Sequence, residues 1–68
     1  MKYPKLKEEL TKKGISVSAL STLVNMGIVR LSVKLIGRED LTLKEAVSIK
    51  RAIRSDLPLE ELFTEEAV

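Results

Sequence analysis

Apolar residues recur along this chain in steps of three and four, and glycine, asparagine or proline separates the runs. Such spacing lines side chains along one face of a helix, so each run predicts an amphipathic helix and each interruption a boundary. Tyr3, Leu6 and Leu10 form the first run. Pro4 suits a first turn, and Lys12, Lys13 and Gly14 supply the cations and the glycine expected at a helix end, which gives a helix from Pro4 to Lys13. Ser16 is an N-cap for a second helix, Val17 to Val24, with the stripe Ala19, Leu20, Leu23 and Val24. Asn25 tolerates the left-handed conformation that stops it, and Gly27 opens a third helix from Ile28 to Ile36, ended by Gly37. Thr42 and Glu45 have the T-x-x-E spacing of a capping box, and Ala46, Ile49 and Ile53 mark the buried side of a fourth helix reaching Arg54. Asp56 and Pro58 start a last short helix carrying Leu59, Leu62 and Phe63. Thr64 to Val68 then form an acidic tail expected to fray.

The expected fold class is all-α, with Leu6, Leu10, Ile15, Leu20, Leu23, Met26, Leu31, Leu35, Leu41, Ala46, Ile49, Ile53, Leu62 and Phe63 supplying most of the core. The stretch from Gly14 to Leu35 is the most informative part. Two short helices joined by a tight turn follow the grammar of a helix-turn-helix, a unit that lays its second helix in the major groove of DNA. A second local reading stands beside it. Val29, Leu31, Val33 and Leu35 alternate with Arg30, Ser32 and Lys34, a period that also describes a half-buried strand presenting the three polar residues to the groove as a ribbon. The strand version leaves the first two helices without a role.

Charge changes the picture more than composition does. The net charge of +2 hides a division: residues 1–38 hold eight Lys or Arg against two Glu, a balance of +6, whereas residues 39–68 hold four against eight Asp or Glu, a balance of −4. The basic part contains the two helices and their turn, which points to a polyanion as partner. There is no Cys and no His, so catalytic or metal-ligand roles would fall to scattered Lys, Ser and carboxylates. The pairs Glu8-Glu9, Glu60-Glu61 and Glu65-Glu66 are adjacent rather than convergent, and Gly14, Gly27 and Gly37 are too far apart for a phosphate loop. The expectation is a protein that is not an enzyme and uses no cofactor and no metal. Its 68 residues fit one domain, 1–68, and so small a domain buries only ~60% of the surface of its unfolded chain, which makes a dimer advantageous. No apolar run approaches the ~18 residues of a membrane span. The lysine-rich start lacks a signal peptide's apolar stretch, and the absence of Cys suits a reducing compartment, so the cytoplasm is the expected location.

A family pattern covers about residues 3 to 63. YPKLKEEL and Gly14-Ile15-Ser16, then Leu20, Leu23, Met26, Leu31 and Lys34-Leu35, then GREDLT over 37–42, Leu43 to Ala46, and DLPLEELF over 56–63 resemble, in order and spacing, the small phage Cro and repressor proteins of the xenobiotic-response-element helix-turn-helix family. The resemblance implies a five-helix bundle of the lambda-repressor-like type and a transcriptional regulator encoded by a phage or its bacterial host. Its partner is then double-stranded operator DNA, bound as a homodimer, with neither a membrane nor a small-molecule substrate. Base-reading positions fall on Gly27, Ile28, Val29, Ser32 and Val33, and a phosphate-contacting position falls on Val17, where the family commonly has glutamine or another polar residue. The expected phosphate contacts around them are Ser16 at the helix 2 N-terminus, Arg30 and Lys34 flanking helix 3, Arg38 in the loop and Lys5 on helix 1. Among the base-reading positions only Ser32 can hydrogen-bond through its side chain. Val29 and Val33 are left to touch thymine methyls. The other reading left open is a module that has lost base readout and uses Ile28, Val29, Val33 and Ile36 to bind a protein or a second copy of itself.

Overall fold

The five apolar runs become five helices in the computed structural model, which describes residues 1–66: α1 (Pro4–Lys13), α2 (Val17–Leu23), α3 (Ile28–Leu35), α4 (Leu43–Ile53) and α5 (Leu59–Leu62). Among the described residues there is no strand. Residues 29–35 belong to α3, because Leu31, Lys34 and Leu35 turn inward together while Val29 stands 73% exposed. That inside-outside order has the 3.6-residue period of a helix, and the strand reading of this segment is corrected. Residues 67–68 of the acidic tail lie outside the described part.

The helix ends share one solution. Gly14 (φ 67°), Asn25 (φ 54°), Gly37 (φ 92°) and Arg54 (φ 53°) adopt the left-handed conformation just past α1, α2, α3 and α4. In each case two successive N–H groups fold back onto carbonyls of the last turn, as Gly14 to Thr11 with Ile15 to Leu10, Asn25 to Thr22 with Met26 to Ser21, Gly37 to Lys34 with Arg38 to Val33, and Arg54 to Arg51 with Ser55 to Lys50, at 2.9–3.3 Å. These are Schellman closures, which satisfy carbonyls that the helix itself leaves free. Two helix starts are also capped by side chains. Ser16 Oγ accepts from the Ala19 N–H at 3.0 Å, and Thr42 Oγ1 accepts from Glu45 N–H at 3.1 Å while Glu45 Oε1 accepts from Thr42 N–H at 2.9 Å. The second is the reciprocal capping box read from the sequence.

α4 lies at the centre, approached by α1, α2 and α5, and α3 packs on α2. Each helix contributes one fully enclosed side chain: Leu6, Leu20, Leu31, Ile49 and Leu62. Leu10, Leu35, Ile53 and Tyr3 complete the buried cluster, with Ile15, Met26, Leu41 and Phe63 packed against it in part. Leu23, expected in the core, is 56% exposed. Val17, Leu20 and Val24 define the inner line of α2, and Leu23, rotated off that line at the helix end, points outward. Tyr3 sets its ring edge-on to Phe63 at 5.4 Å between centroids. The chain before α1 stitches the two ends of the bundle: the Lys2 N–H donates to Leu35 O, and Lys2 O accepts from the Glu66 N–H. Ser55, buried without any apolar signal, donates to Glu9 Oε1 at 2.7 Å and accepts from the Leu57 N–H. Among the described residues no helix is long and apolar enough to cross a membrane.

Two stability effects follow. Leu31→Ala, which opens a hole in a core with a single enclosed residue per helix, is expected to cost ~2–5 kcal/mol and to unfold a marginal domain. Arg54→Gly relieves a left-handed residue bearing a Cβ and is expected to stabilise by about 1 kcal/mol after the loss of unfolded-chain stiffness. Urea denaturation checks both, and an unchanged midpoint for either variant contradicts its prediction.

Candidate nucleic-acid interface

The segment from Leu10 to Arg38 contains no Asp or Glu. It holds the end of α1, all of α2, the turn and all of α3. Asn25 closes α2, and Gly27, at an ordinary φ of −57°, stands at the N-cap of α3. Among the described residues nothing lies within 4 Å of where a Gly27 Cβ would project. The backbone at the start of α3 is therefore bare and can approach a flat or charged surface closely.

α3 is apolar on two sides. Leu31 and Leu35 face the core, and Val29, Val33 and Ile36 follow one another at helical spacing on the outside. Ile28 and Ile36 are 46% and 57% exposed, and Val33 is half-buried. Ser32 is half-buried beside this line, and Arg30 is exposed on its flank. The outward surface is a stripe of branched aliphatic side chains with one hydroxyl and one guanidinium beside it.

Lys34 corrects the expectation made for it. The side chain that was to reach a phosphate is buried, the residue being 6% exposed, and its ammonium donates to both Glu45 oxygens, at 2.7 and 2.8 Å. Glu45 is the same carboxylate that closes the α4 capping box. The Lys34 ammonium, helped by the Thr42 N–H, holds the Glu45 carboxyl below its ordinary value of 4.5. Lys34 thus ties α3 to the start of α4, and its charge is neutralised inside the protein.

The other expected residues divide by position. Gly27, Ile28, Val29, Arg30, Ser32 and Val33 are brought together on the outer side or at the start of α3, and Arg38 is exposed in the turn that closes α3, three residues past Leu35. Ser16 is exposed and its oxygen is engaged by the Ala19 N–H, which leaves its hydroxyl hydrogen free to donate. Val17 packs against the core and offers no polar side-chain atom to a phosphate. Lys5 lies on α1, whose close approaches are to α4 and α5, so it is not brought beside α3. Lys12 and Lys13, which the sequence marks as helix-end cations and as part of the basic half, were not among the expected contact residues. Both are exposed immediately before the α2 cap, and the signal that identifies them is a pair of cations at the entrance to a segment free of carboxylates. No protein-family model, no curated protein and no solved structure matches this chain.

The lowered Glu45 pKa has a sign. A carboxylate whose folded pKa is depressed contributes stability above its ordinary pKa and loses it as pH falls through the folded value. Glu45→Gln is expected to be less stable than the parent chain by roughly 3 kcal/mol near neutral pH, since Lys34 is then buried without its counter-charge. The gap should close on acidification below pH 4.5. Urea midpoints measured at about pH 7 and about pH 3 check this, and a gap of the same size at both contradicts it.

Proposed function

We propose that this chain is a DNA-binding transcriptional regulator of helix-turn-helix kind, with α2 and α3 as the motif and α3 seated in the major groove. One observation carries the reading. The segment from Leu10 to Arg38 lacks any carboxylate and exposes Lys12, Lys13, Arg30 and Arg38, while its second helix presents an unpartnered outer face. A polyanion is the surface such a segment attracts most strongly, and phosphates on both sides of a groove give the flanking cations their partners. The resemblance to phage Cro and repressor proteins supports the same reading and adds operator DNA in a bacterial cytoplasm as the setting. A helix of eight residues spans few base pairs. Two copies on half-sites one helical turn apart, ~34 Å, would double the contact.

The outer line of exposed Ile28, Val29 and Ile36 with half-buried Val33 favours a second reading, in which the face binds protein. Pairing of two copies along α3 brings Arg30 towards its counterpart with no carboxylate in the segment to neutralise either. That repulsion weighs for DNA against self-association through this face.

Arg30→Ala and Arg38→Ala are expected to weaken binding to all duplexes alike and to lower the dependence of log K on log salt by ~1 each. Both residues are exposed, so the circular dichroism spectrum should not change. Fluorescence anisotropy on duplexes enriched from a random library, titrated with salt, reads both quantities. Wild-type affinity and slope would remove these arginines from the interface, and no binding to any duplex at low salt would favour the protein-contact reading.

A further inference from the structure

The outer face of α3 is a poor reader of hydrogen-bond patterns and a good reader of methyl groups. Val29 is the most exposed of its apolar residues, and Val33 and Ile36 continue the line one and two turns later. A pyrimidine presents two features to the major groove: the group at C4, an acceptor in thymine and a donor in cytosine, and the substituent at C5. Telling acceptor from donor takes a side chain of fixed polarity. The only hydroxyl on this face is Ser32, which accepts and donates equally well. Asp and Glu, which only accept, are absent from α3, and its exposed donor-only side chain, Arg30, stands on the flank of the stripe, where the proposed reading assigns it to phosphate. What valine discriminates is whether C5 carries a methyl or a hydrogen.

Thymine and 5-methylcytosine carry that methyl at the same place. Resting on the proposed DNA-binding reading, we infer that the ligand class of this face is duplex DNA bearing 5-methylpyrimidines, with 5-methylcytosine accepted in place of thymine, so that cytosine methylation turns a weak site into a strong one. The occupant is fixed as DNA by the charge around the stripe: Arg30 on its flank and Arg38 beyond its end, with no carboxylate between Leu10 and Arg38. Removing one methyl-sized group from water against an aliphatic surface is worth roughly fourfold in affinity.

Four duplexes test this, identical except for thymine, uracil, 5-methylcytosine or cytosine at the pyrimidines facing α3 in a site enriched from a random library. Within each pair, thymine with uracil and 5-methylcytosine with cytosine, the Watson-Crick partner is unchanged and only the methyl differs. The expected result is tighter binding of the methylated member in both pairs, by a similar ratio of roughly fourfold per methyl. Val29→Ala combined with Val33→Ala should bring both ratios towards one. Leu43→Ala, which removes an exposed apolar side chain from α4 instead, should leave the ratios as they are. Equal binding within either pair overturns the inference. If all four duplexes then bind with a steep salt dependence, the DNA-binding reading stands without it, and if none binds at low salt, both fail.

Discussion

The ion pair between Lys34 and Glu45 decides which way α3 faces. An ordinary amphipathic helix chooses its buried side by being apolar on one side only, but α3 offers aliphatic residues inward, Leu31 and Leu35, and outward, Val29, Val33 and Ile36. The helix is strongly amphipathic, but its buried line takes in, beside Leu31 and Leu35, also Lys34, which hydrophobicity alone would not place inside. Lys34 removes the ambiguity, because a buried ammonium is tolerated only with a partner, and the Glu45 carboxylate at 2.7 Å is that partner. Turning α3 by one residue, about 100°, would part Lys34 from Glu45 and leave that carboxylate only its bond to the Thr42 N–H. Glu45 is itself fixed by the Thr42 cap, so the start of α4 and the orientation of α3 are set by one carboxylate.

With that orientation fixed, the distribution of charge follows. The acidic α5 approaches α1 and α4 and neither α2 nor α3. Asp40 and Glu65 meet Lys2 at 3.9 and 3.2 Å. Lys2 also donates its N–H to Leu35 O, so one residue both closes the end of α3 and holds carboxylates beside a counter-charge. Two acidic residues close to a basic surface are thereby partly neutralised.

Most of the fold was legible in the sequence because helix boundaries here are chemical. Glycine, asparagine, serine and the Thr42-Glu45 pair each identify a conformation or a hydrogen bond, and the ends of α1 to α4 fall within a residue of where those signals stand. Arg54 was not identified as a left-handed residue, because an arginine carries no such signal. Leu23 was misplaced because spacing alone counted it with Leu20, whereas the inner line of α2 runs through Val17, Leu20 and Val24. Ser55 and Glu9 were invisible for a different reason: their bond joins residues far apart in the chain, and polar pairs of that kind have no periodicity. Lys34 shows the same limit at the candidate site. Its place on α3 was legible; its partner eleven residues on was not.

If α3 is seated on DNA as proposed, cations around a valine stripe would separate affinity from selectivity in a way that differs from a helix carrying arginines and glutamines on its reading face. Phosphate contacts weaken with salt for every sequence alike, since what drives them is the release of counterions. Contact between an aliphatic side chain and a methyl group carries no charge and has no such dependence. On a duplex bound by α3, added salt would lower the affinity for all sites while leaving the preference among them unchanged. Deformation of the duplex would then be the other source of preference, because thymine-rich segments differ in groove width and stiffness from the rest. Lys34 bears on this balance from inside the protein. Turned outward it would add one more phosphate contact and one more unit of salt dependence; turned inward it adds neither, and it holds the valines in the position from which they can be read as a surface.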